Sequence, residues 1–265
     1  MKRMITYTYK YFKNEMPDWK RRKDPILSRV FYRRISFATA AVCANIGISA
    51  NTVSYVSALV AIIADALFLV NSHITIIIAA ILVNIWLIMD CTDGNLARSV
   101  KKQPFGEFAD GISSYILVGF MCTCMGFSVY QTGGVLFEKG CAWIILIGAL
   151  ASSSDTMMRL IYQKYKATEA EMVKEGKIEE ELDKRLSHDN VRSFRVRVEA
   201  ELGVGGILPI FILLASIFNA LDLVVLYCLL YFGFSCVVMS LSYVRKAIKH
   251  VNEYEVGRKE KANES

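Results

Sequence analysis

The sequence predicts an all-α polytopic membrane protein with six transmembrane helices and an amino-terminal interfacial amphipathic helix. Three observations support this fold class. Of the 265 residues 54% are apolar, these residues form long runs with almost no charge, and the charged residues lie between the runs. A chain this apolar is not intrinsically disordered, and the absence of a matching repeat excludes collagen and coiled coil.

A helix needs roughly 20 mostly apolar residues to cross the hydrocarbon of a bilayer. Six stretches qualify, at about 52–70, 74–92, 108–130, 141–162, 203–219 and 221–243. The sequence therefore divides into a basic arm with an interfacial helix (1–50), a six-helix transmembrane domain (51–246) and a tail (247–265). The loop 163–201 is the longest connection between the predicted spans.

The positive charges predict the orientation of these spans. Thirty of the 31 Lys and Arg residues lie in segments 1–34, 98–102, 159–197 and 245–261, which six spans place on one side. Because Lys and Arg are enriched in cytoplasmic segments, both termini and the loop 163–201 are predicted to be cytoplasmic, in a multi-pass protein of the plasma (inner) membrane. The net charge of +6 thus reports orientation and gives no indication of nucleic-acid binding.

Residues 25–48 are predicted to form the interfacial helix and a following turn. The apolar run 35–48 is too short to span the bilayer. Arg29, Arg33 and Arg34 can hold this helix at anionic headgroups. The alternative is that the three arginines only set the topology.

The most informative segment carries three aspartates beside two glycines. It reads Asp90-Cys-Thr-Asp93-Gly94-Asn-Leu-Ala97-Arg98, followed by seven residues and then by Gly106-Glu-Phe-Ala-Asp110. The first two aspartates share a face at the cytoplasmic end of the second span, as do Gly106 and Asp110 at the start of the third. A turn containing Pro104 is expected to pair these spans in antiparallel fashion, so that the three carboxylates converge on one pocket.

Carboxylates at that depth are costly and repel each other unless a cation lies between them. Mg²⁺ or Mn²⁺ binds carboxylate oxygens and bridges them to substrate phosphates, which predicts a metal site at the three aspartates. Gly94 and Gly106 allow a bulky ligand to approach the backbone, and the Arg98 guanidinium suits a phosphate. The alternative is that the aspartates form helix-end ion pairs with Arg98, Lys101 and Lys102.

At these residues the chain resembles the CDP-alcohol phosphotransferase (CDP-alcohol phosphatidyltransferase) family. The family signature is D-x-x-D-G-x-x-A-R, a spacer of about eight residues, and G-x-x-x-D-x-x-x-D. The residues Asp90, Asp93, Gly94, Ala97, Arg98, Gly106 and Asp110 match it in order. The six-span layout and the amino-terminal interfacial helix extend the resemblance over most of the chain.

The last aspartate of the signature is replaced by Ser114. In the family this aspartate is assigned as the general base that takes the proton of the acceptor hydroxyl, and a serine hydroxyl is too weakly basic for that role. Asp155 in the fourth span is the first candidate for another base, followed by Glu199 and Glu201. Alternatively the proton passes to the acceptor's own phosphate or to a metal-bound water, or the protein binds the nucleotide without turnover.

The resemblance implies an integral membrane enzyme that transfers a substituted phosphate from a CDP-linked donor, such as CDP-diacylglycerol, to a hydroxyl acceptor and releases CMP, as in phospholipid biosynthesis. It implies that Mg²⁺ or Mn²⁺ is held by Asp90, Asp93 and Asp110. Gly94, Ala97, Arg98 and Gly106 are implied to bind the CDP moiety. It also implies a homodimer in contact with membrane lipids.

Basic residues beyond the signature are candidates for binding the phosphate of an anionic acceptor. Arg159 near the end of the fourth span is the foremost, with Arg192, Arg195 and Arg197 before the fifth span. The alternative is that these arginines set the topology and pair with neighbouring glutamates.

Three other functions remain open at this point. The donor could carry another cytidylyl-activated group, such as a CMP-phosphonate or a CDP-polyol, for transfer to a lipid or glycan. A catalytically weak nucleotide-binding homologue is favoured by Ser114. A cation transporter is disfavoured because the three signature aspartates lie at one membrane edge.

Overall fold

A computed structural model describes residues 6–178 and 194–263, and this part of the chain contains helices and no strand. Its amino-terminal arm contains two short helices, a π-helical turn and a longer helix. These are α1 (Tyr9–Glu15), α2 (Asp18–Lys23), the turn Ser28–Tyr32 and α3 (Arg33–Asn45), which continues directly from that turn. The predicted helix within residues 25–48 is therefore confirmed.

Within the described residues, five helices are long and apolar enough to cross a membrane. They are α4 (Ala50–Phe68), α5 (His73–Ser99), α6 (Gly106–Thr132), α7 (Trp143–Lys174) and α10 (Leu221–Asn263). Two shorter helices, α8 (Phe194–Leu202) and α9 (Leu208–Ile217), lie before α10. The predicted fold class, an all-α polytopic membrane protein, is confirmed.

The prediction of a continuous fifth span over 203–219 was wrong. Only Leu208–Ile217 is helical there, and these ten residues rise about 15 Å, half of the hydrocarbon thickness of about 30 Å. The segment Gly203-Val204-Gly205-Gly206 forms a turn before this helix, because its glycines favour turns over helix. Apolar content alone did not distinguish this turn from a span.

The start of α10 lies at the end of the bundle that contains the loop between α6 and α7. The Tyr227 hydroxyl of α10 donates to the carbonyl of Leu202 at 2.7 Å. One and a half turns earlier, the Asp222 carboxylate accepts from the backbone N–H of Leu136 at 2.6 Å. Leu136 lies in the loop between α6 and α7, at the end of α6 farthest from Gly106.

The long helices pack as two connected groups. Helix α4 packs against both α5 and α6, and α7 packs against both α6 and α10. By contrast, α5 and α6 pack less closely against each other and meet through side chains such as Trp86 and Ser113, whose indole N–H and hydroxyl are hydrogen-bonded. The start of α4 instead lies against the carboxyl-terminal part of α5 and the start of α6, which places three helices around the predicted pocket.

The amino-terminal arm packs on the outside of α5 through polar contacts. The Tyr11 hydroxyl donates to the carbonyl of Ser99 at 2.8 Å, and the hydroxyls of Thr39 and Thr92 lie 2.6 Å apart. Arg33 is only 6% exposed and forms an ion pair with Asp24 at 2.8 Å. The expectation that Arg33 reaches lipid headgroups was therefore wrong, because the buried Asp24 carboxylate binds it inside the protein.

The arginines on either side of Arg33 are exposed, as expected for Arg29 and Arg34. The division of the chain at residues 50 and 246 stays a prediction. Part of the predicted loop 163–201 lies outside the described residues.

Candidate functional site

A cavity of about 150 Å³ lies where the starts of α4 and α6 meet the carboxyl-terminal half of α5. Five predicted site residues line it: Asp93, Gly94, Ala97, Gly106 and Asp110. Asp93, Gly94 and Ala97 lie on α5, whereas Gly106 and Asp110 lie on α6. The six-residue loop 100–105 between the two helices brings the end of α5 beside the start of α6. The structure thus assembles most of the predicted donor site in one place.

The three signature aspartates are close neighbours. Asp93 is 6% exposed, and the Ser54 hydroxyl donates to its Oδ2 at 2.5 Å. The carboxyl groups of Asp90 and Asp110 lie within hydrogen-bonding reach of each other, and both interact electrostatically with Asp93. None of the three is held in an ion pair with Arg98, Lys101 or Lys102 among the described salt bridges, so the alternative of helix-end ion pairs finds no support.

Helix α4 supplies part of the cavity wall, which the sequence motif did not predict. The Asn51 side chain donates to the carbonyl of Pro104 at 2.9 Å, and the Asn51 backbone N–H donates to Gln103 Oε1 at 3.1 Å. These bonds hold the loop 100–105 against the start of α4. The loop ends at Phe105, whose φ of 58° is left-handed, and this turn starts α6 toward the cavity.

A buried polar cluster ties the same three helices together below the cavity. The hydroxyl of Ser113 lies 2.6 Å from the hydroxyl of Ser57 and accepts from the Trp86 indole N–H at 2.8 Å. Since these residues belong to α4, α5 and α6, the cluster fixes the separation of the helices that carry the aspartates. Ser57 and Ser113 are buried.

Ser114 does not line the cavity. Its hydroxyl donates to the carbonyl of Gly111 at 3.1 Å, within its own helix. The position where the family signature has its last aspartate therefore contributes no acid and directs its hydroxyl to the backbone.

Arg98 folds back along its own helix. It donates to Asn95 Oδ1 at 3.1 Å, and a Cβ added at Gly94 would lie 3.0 Å from its Nη1. The absence of a side chain at Gly94 thus allows the guanidinium to lie over the helix beside the cavity.

A second cavity of about 210 Å³ lies between α7, the end of α8 and α10. Asp155, Arg159 and Glu199 are among the residues that line it. Asp155 is buried and accepts a hydrogen bond from Arg159, one turn further along α7, in an ion pair. The Arg159 guanidinium also lies 5.3 Å from the centre of the Tyr115 ring on α6.

Asp155 and Asp110 lie at different depths. Thr156 packs against Gly119, so Asp155 lies near the level of Gly119 on α6. Nine residues separate Gly119 from Asp110, a rise of about 13 Å along the helix axis. Asp155 therefore lies outside the cavity that contains Asp110.

The other candidates are placed as follows. Both carboxylate oxygens of Glu201 accept from the backbone N–H of Ile26, at 3.0 and 2.9 Å. Arg197 is exposed on α8. Arg192 and the side chain of Arg195 lie outside the described part of the structure.

Comparison with known families decides the assignment. The sequence model of the CDP-alcohol phosphatidyltransferase family matches residues 47–183, just over half of the chain. The chain belongs to this family. The matched region starts at the turn before α4 and includes α5, α6 and α7, so it contains the cavity with the aspartates. A search among curated proteins gave no match.

CDP-alcohol phosphatidyltransferases are membrane transferases, and they generally depend on a divalent metal. Among the residues that the structure describes, no three His, Cys, Asp or Glu side chains are grouped closely enough to hold an ion by themselves. Mg²⁺ needs no such cage, because one or two carboxylates and the substrate phosphates commonly complete its coordination. The adjacent carboxyls of Asp90 and Asp110, with Asp93 beside them, fit that kind of site.

Proposed function

We propose that this protein transfers a substituted phosphate from a CDP-linked donor, CDP-diacylglycerol or a similar compound, to the hydroxyl of an acceptor. The observation that carries the proposal is the single cavity lined by Asp93, Gly94, Ala97, Gly106 and Asp110, at the membrane-span ends where α4, α5 and α6 meet. The membership of the family supports the reaction type.

Space at Gly106 supports binding of the CDP moiety there. A Cβ added at Gly106 would lie 3.5 Å from Asn51 Oδ1, in the wall of the cavity. Glycine at this position leaves the backbone of α6 open to the diphosphate. We assign Gly94, Ala97 and Gly106 to the CDP moiety, and Arg98, whose guanidinium lies beside Gly94, to a phosphate.

Asp90, Asp93 and Asp110 would hold Mg²⁺ or Mn²⁺ together with the donor diphosphate. When bound, the ion would neutralise charge on the diphosphate and on the leaving phosphate. Asp93 is already oriented for this role by the bond from Ser54.

In the reaction the acceptor oxygen attacks the phosphorus distal to cytidine. A new P–O bond forms, the bond between that phosphorus and the bridging oxygen breaks, and CMP leaves with the bridging oxygen. The chain's contribution is to align donor and acceptor and to stabilise the developing charge. The acceptor hydroxyl loses its proton in the same step.

The positions of the acids bear on the destination of this proton. Asp155, the first candidate base, is paired with Arg159 and lies about 13 Å from the level of Asp110. Its ion pair with Arg159 favours the ionised carboxylate and makes it a weaker base. We therefore favour transfer of the proton to the acceptor's own phosphate and assign Arg159, held by Asp155, to binding that phosphate.

The charge distribution supports the proposed orientation, with both termini and the cavity cytoplasmic in the plasma (inner) membrane. We also propose that the enzyme forms a homodimer, as its resemblance to the family implies.

The proposal is tested with purified full-length protein, Mg²⁺ or Mn²⁺, and panels of CDP-alcohols and hydroxyl acceptors, with CMP release as the readout. Metal-dependent CMP release that is lost in Asp93→Asn supports the proposal. A donor panel that includes CMP-phosphonates and CDP-polyols identifies the transferred group. If no donor and acceptor pair yields metal-dependent CMP, the proposed activity is wrong and a nucleotide-binding role replaces it.

A further inference from the structure

A larger cavity, of about 450 Å³, lies apart from both cavities described above, between the amino-terminal helices α1 and α2 and the helix that continues from residue 28 into α3. Its lining includes five basic residues and no acidic residue: Lys13, Arg21, Arg29, Arg33 and Arg34. We call it the basic cavity. It shares no lining residue with the cavity of the aspartates.

The positive charge of the basic cavity is only partly offset. The Asp24 carboxylate binds both Arg33, at 2.8 Å, and Lys20, at 3.1 Å, so this group of three keeps one excess positive charge. Arg21 lies 3.9 Å from an exposed Asp18. In the described part of the chain, Lys13, Arg29 and Arg34 form no salt bridge. An unoccupied cavity of like charges is unfavourable, whereas an anion within it is stabilised.

Rigid packing holds the walls of the basic cavity. Phe12 is 1% exposed and Phe37 is 6% exposed, and the Tyr9 and Phe37 rings meet edge to face at 5.7 Å. Arg33 donates to the carbonyl of Cys91 at 3.1 Å, which fixes the deepest cation against α5. The cations are therefore brought together by the fold and are not merely neighbours in sequence.

The segment 26–46 also exposes apolar side chains near the basic cavity. Ile26, Val30, Phe31, Val42 and Ile46 are each about half exposed or more, with exposed fractions of 56, 50, 47, 60 and 65%. A helical segment that exposes both apolar and basic residues is suited to a membrane surface, with its cations at the level of the headgroups. These residues therefore favour a position of the basic cavity near the phosphates of lipids.

We infer that the basic cavity binds a phosphate group, presented either by an anionic lipid headgroup or by a free phosphate. Arginine guanidinium groups donate paired hydrogen bonds to phosphate oxygens, and Arg29 and Arg34 are exposed and available for this. Lys13 adds a third cation from α1. A phosphate bound here would join α1 to the helix that contacts α5, and so would stabilise the arm that lies behind Asp90.

The test compares two triple variants of the full-length protein in detergent. Lys13→Ala/Arg29→Ala/Arg34→Ala removes three cations from the basic cavity. The matched control Lys164→Ala/Lys174→Ala/Arg245→Ala removes three exposed cations from α7 and α10. Native mass spectrometry measures binding of dioleoylphosphatidylglycerol, and calorimetric titration measures binding of inorganic phosphate. Circular dichroism establishes that both variants are folded.

We expect the cavity variant to bind at least one of the two probes about tenfold more weakly than the wild type, and the control variant to bind both within about twofold of it. Loss in the lipid arm alone assigns the site to a headgroup, and loss in the phosphate arm as well assigns it to the free anion. If the cavity variant binds both probes as tightly as the wild type, the inference is overturned. It is also overturned if the control variant loses as much affinity for both probes as the cavity variant does.

Discussion

Asp24 connects the amino-terminal arm to the helix that carries Asp90 and Asp93. Its carboxylate binds Arg33 and Lys20, and Arg33 in turn donates to the carbonyl of Cys91 on α5. Burial alone would raise the pKa of Asp24, but the attraction of Arg33 and Lys20 outweighs it and holds the pKa below its ordinary value. The ionised carboxylate is therefore the form that stabilises the arm.

A carboxyl group whose pKa is lower in the folded protein contributes stability above its unfolded pKa, about 3.9, and this contribution is lost as the pH falls through the folded pKa. We expect Asp24→Asn to destabilise the protein by about 3 kcal/mol at pH 7, because it leaves Arg33 buried without a counter-charge. The loss should shrink as the pH approaches 3. Thermal unfolding in detergent as a function of pH measures both effects, and an equal loss of stability at pH 3 and pH 7 contradicts this account.

Asp155 and Asp110 provide a second test at the level of residues. Because Asp155 binds Arg159 outside the cavity of the aspartates, Asp155→Asn should raise the KM for an anionic acceptor and leave the KM for the donor unchanged. Asp110→Asn should instead lower the turnover of the donor by about 100-fold or more, since it removes a group that would hold the metal.

Steady-state kinetics with each substrate varied in turn separates these outcomes. Arg159→Lys serves as the conservative comparison, because it keeps the charge that pairs with Asp155. A fall in kcat of about 10²–10⁴-fold in Asp155→Asn, with the KM for the acceptor unchanged, would identify Asp155 as the general base and refute the assignment made above.

Glycines determine how closely α6 and α7 approach. A Cβ added at Gly148 would lie 2.3 Å from the carbonyl oxygen of Cys122, and one added at Gly126 would lie 2.6 Å from that of Ile144. These are backbone atoms that cannot move without separating the helices. Close approach through small residues is a common basis of helix association in membranes.

We expect Gly148→Ala to destabilise the protein by about 1–3 kcal/mol, because the two helices must move apart. Gly233→Ala on α10 is the matched control, since a Cβ there meets no atom within 4 Å, and it should be neutral or slightly stabilising. Unfolding of both variants in detergent, followed by circular dichroism, measures the difference. Equal stability of the two variants would show that α6 and α7 can accommodate a methyl group at Gly148, which contradicts this prediction.

The sequence predicted the long helices well and the fifth span poorly. Five apolar runs of 19 or more residues correspond to α4, α5, α6, α7 and α10, because length and apolarity suffice to identify a long span. The run 203–219 has similar composition, yet its glycines form a turn and leave ten helical residues. Local turn formation competes with helix there, and an average over the run does not detect it.

Within the site, the signature predicted the residues that are close in sequence and missed those that are not. Asp93, Gly94, Gly106 and Asp110 belong to one pattern of 21 residues and line one cavity. Ser54, which binds Asp93, is 39 positions away. No spacing rule connects such residues, since only the packing of α4 against α5 brings them together. The burial of Arg33 was missed for the same reason, because its partner Asp24 lies outside α3, at the end of α2.

At the scale of the whole molecule, the two ends of the bundle differ in charge. The end that contains the aspartates also contains the basic arm, whereas the loop between α6 and α7 at the other end contains only Lys139 and Glu138 among charged residues. This asymmetry is typical of a protein whose basic end lies in the cytoplasm. It predicts which native cysteines can be reached from outside the cell.

Cys141 lies in the loop between α6 and α7 and is partly exposed, and Cys43 is partly exposed on α3 in the basic arm. We expect a membrane-impermeant maleimide to label Cys141 in intact cells and to leave Cys43 unlabelled until the cells are opened. Cys141→Ser is the control and should abolish labelling of intact cells. Labelling of Cys43 from outside would reverse the proposed orientation.

The central claim is that the cavity lined by Asp93, Gly94, Ala97, Gly106 and Asp110 binds CDP together with a divalent metal. Calorimetric titration of the purified full-length protein with CDP tests it most directly, because it requires neither the donor's alcohol nor the acceptor to be known. We predict that CDP binds in the presence of Mn²⁺, that a chelator abolishes this binding, and that Asp93→Asn abolishes it in a folded variant. Binding of CDP with unchanged affinity in the chelator or in Asp93→Asn would contradict the claim.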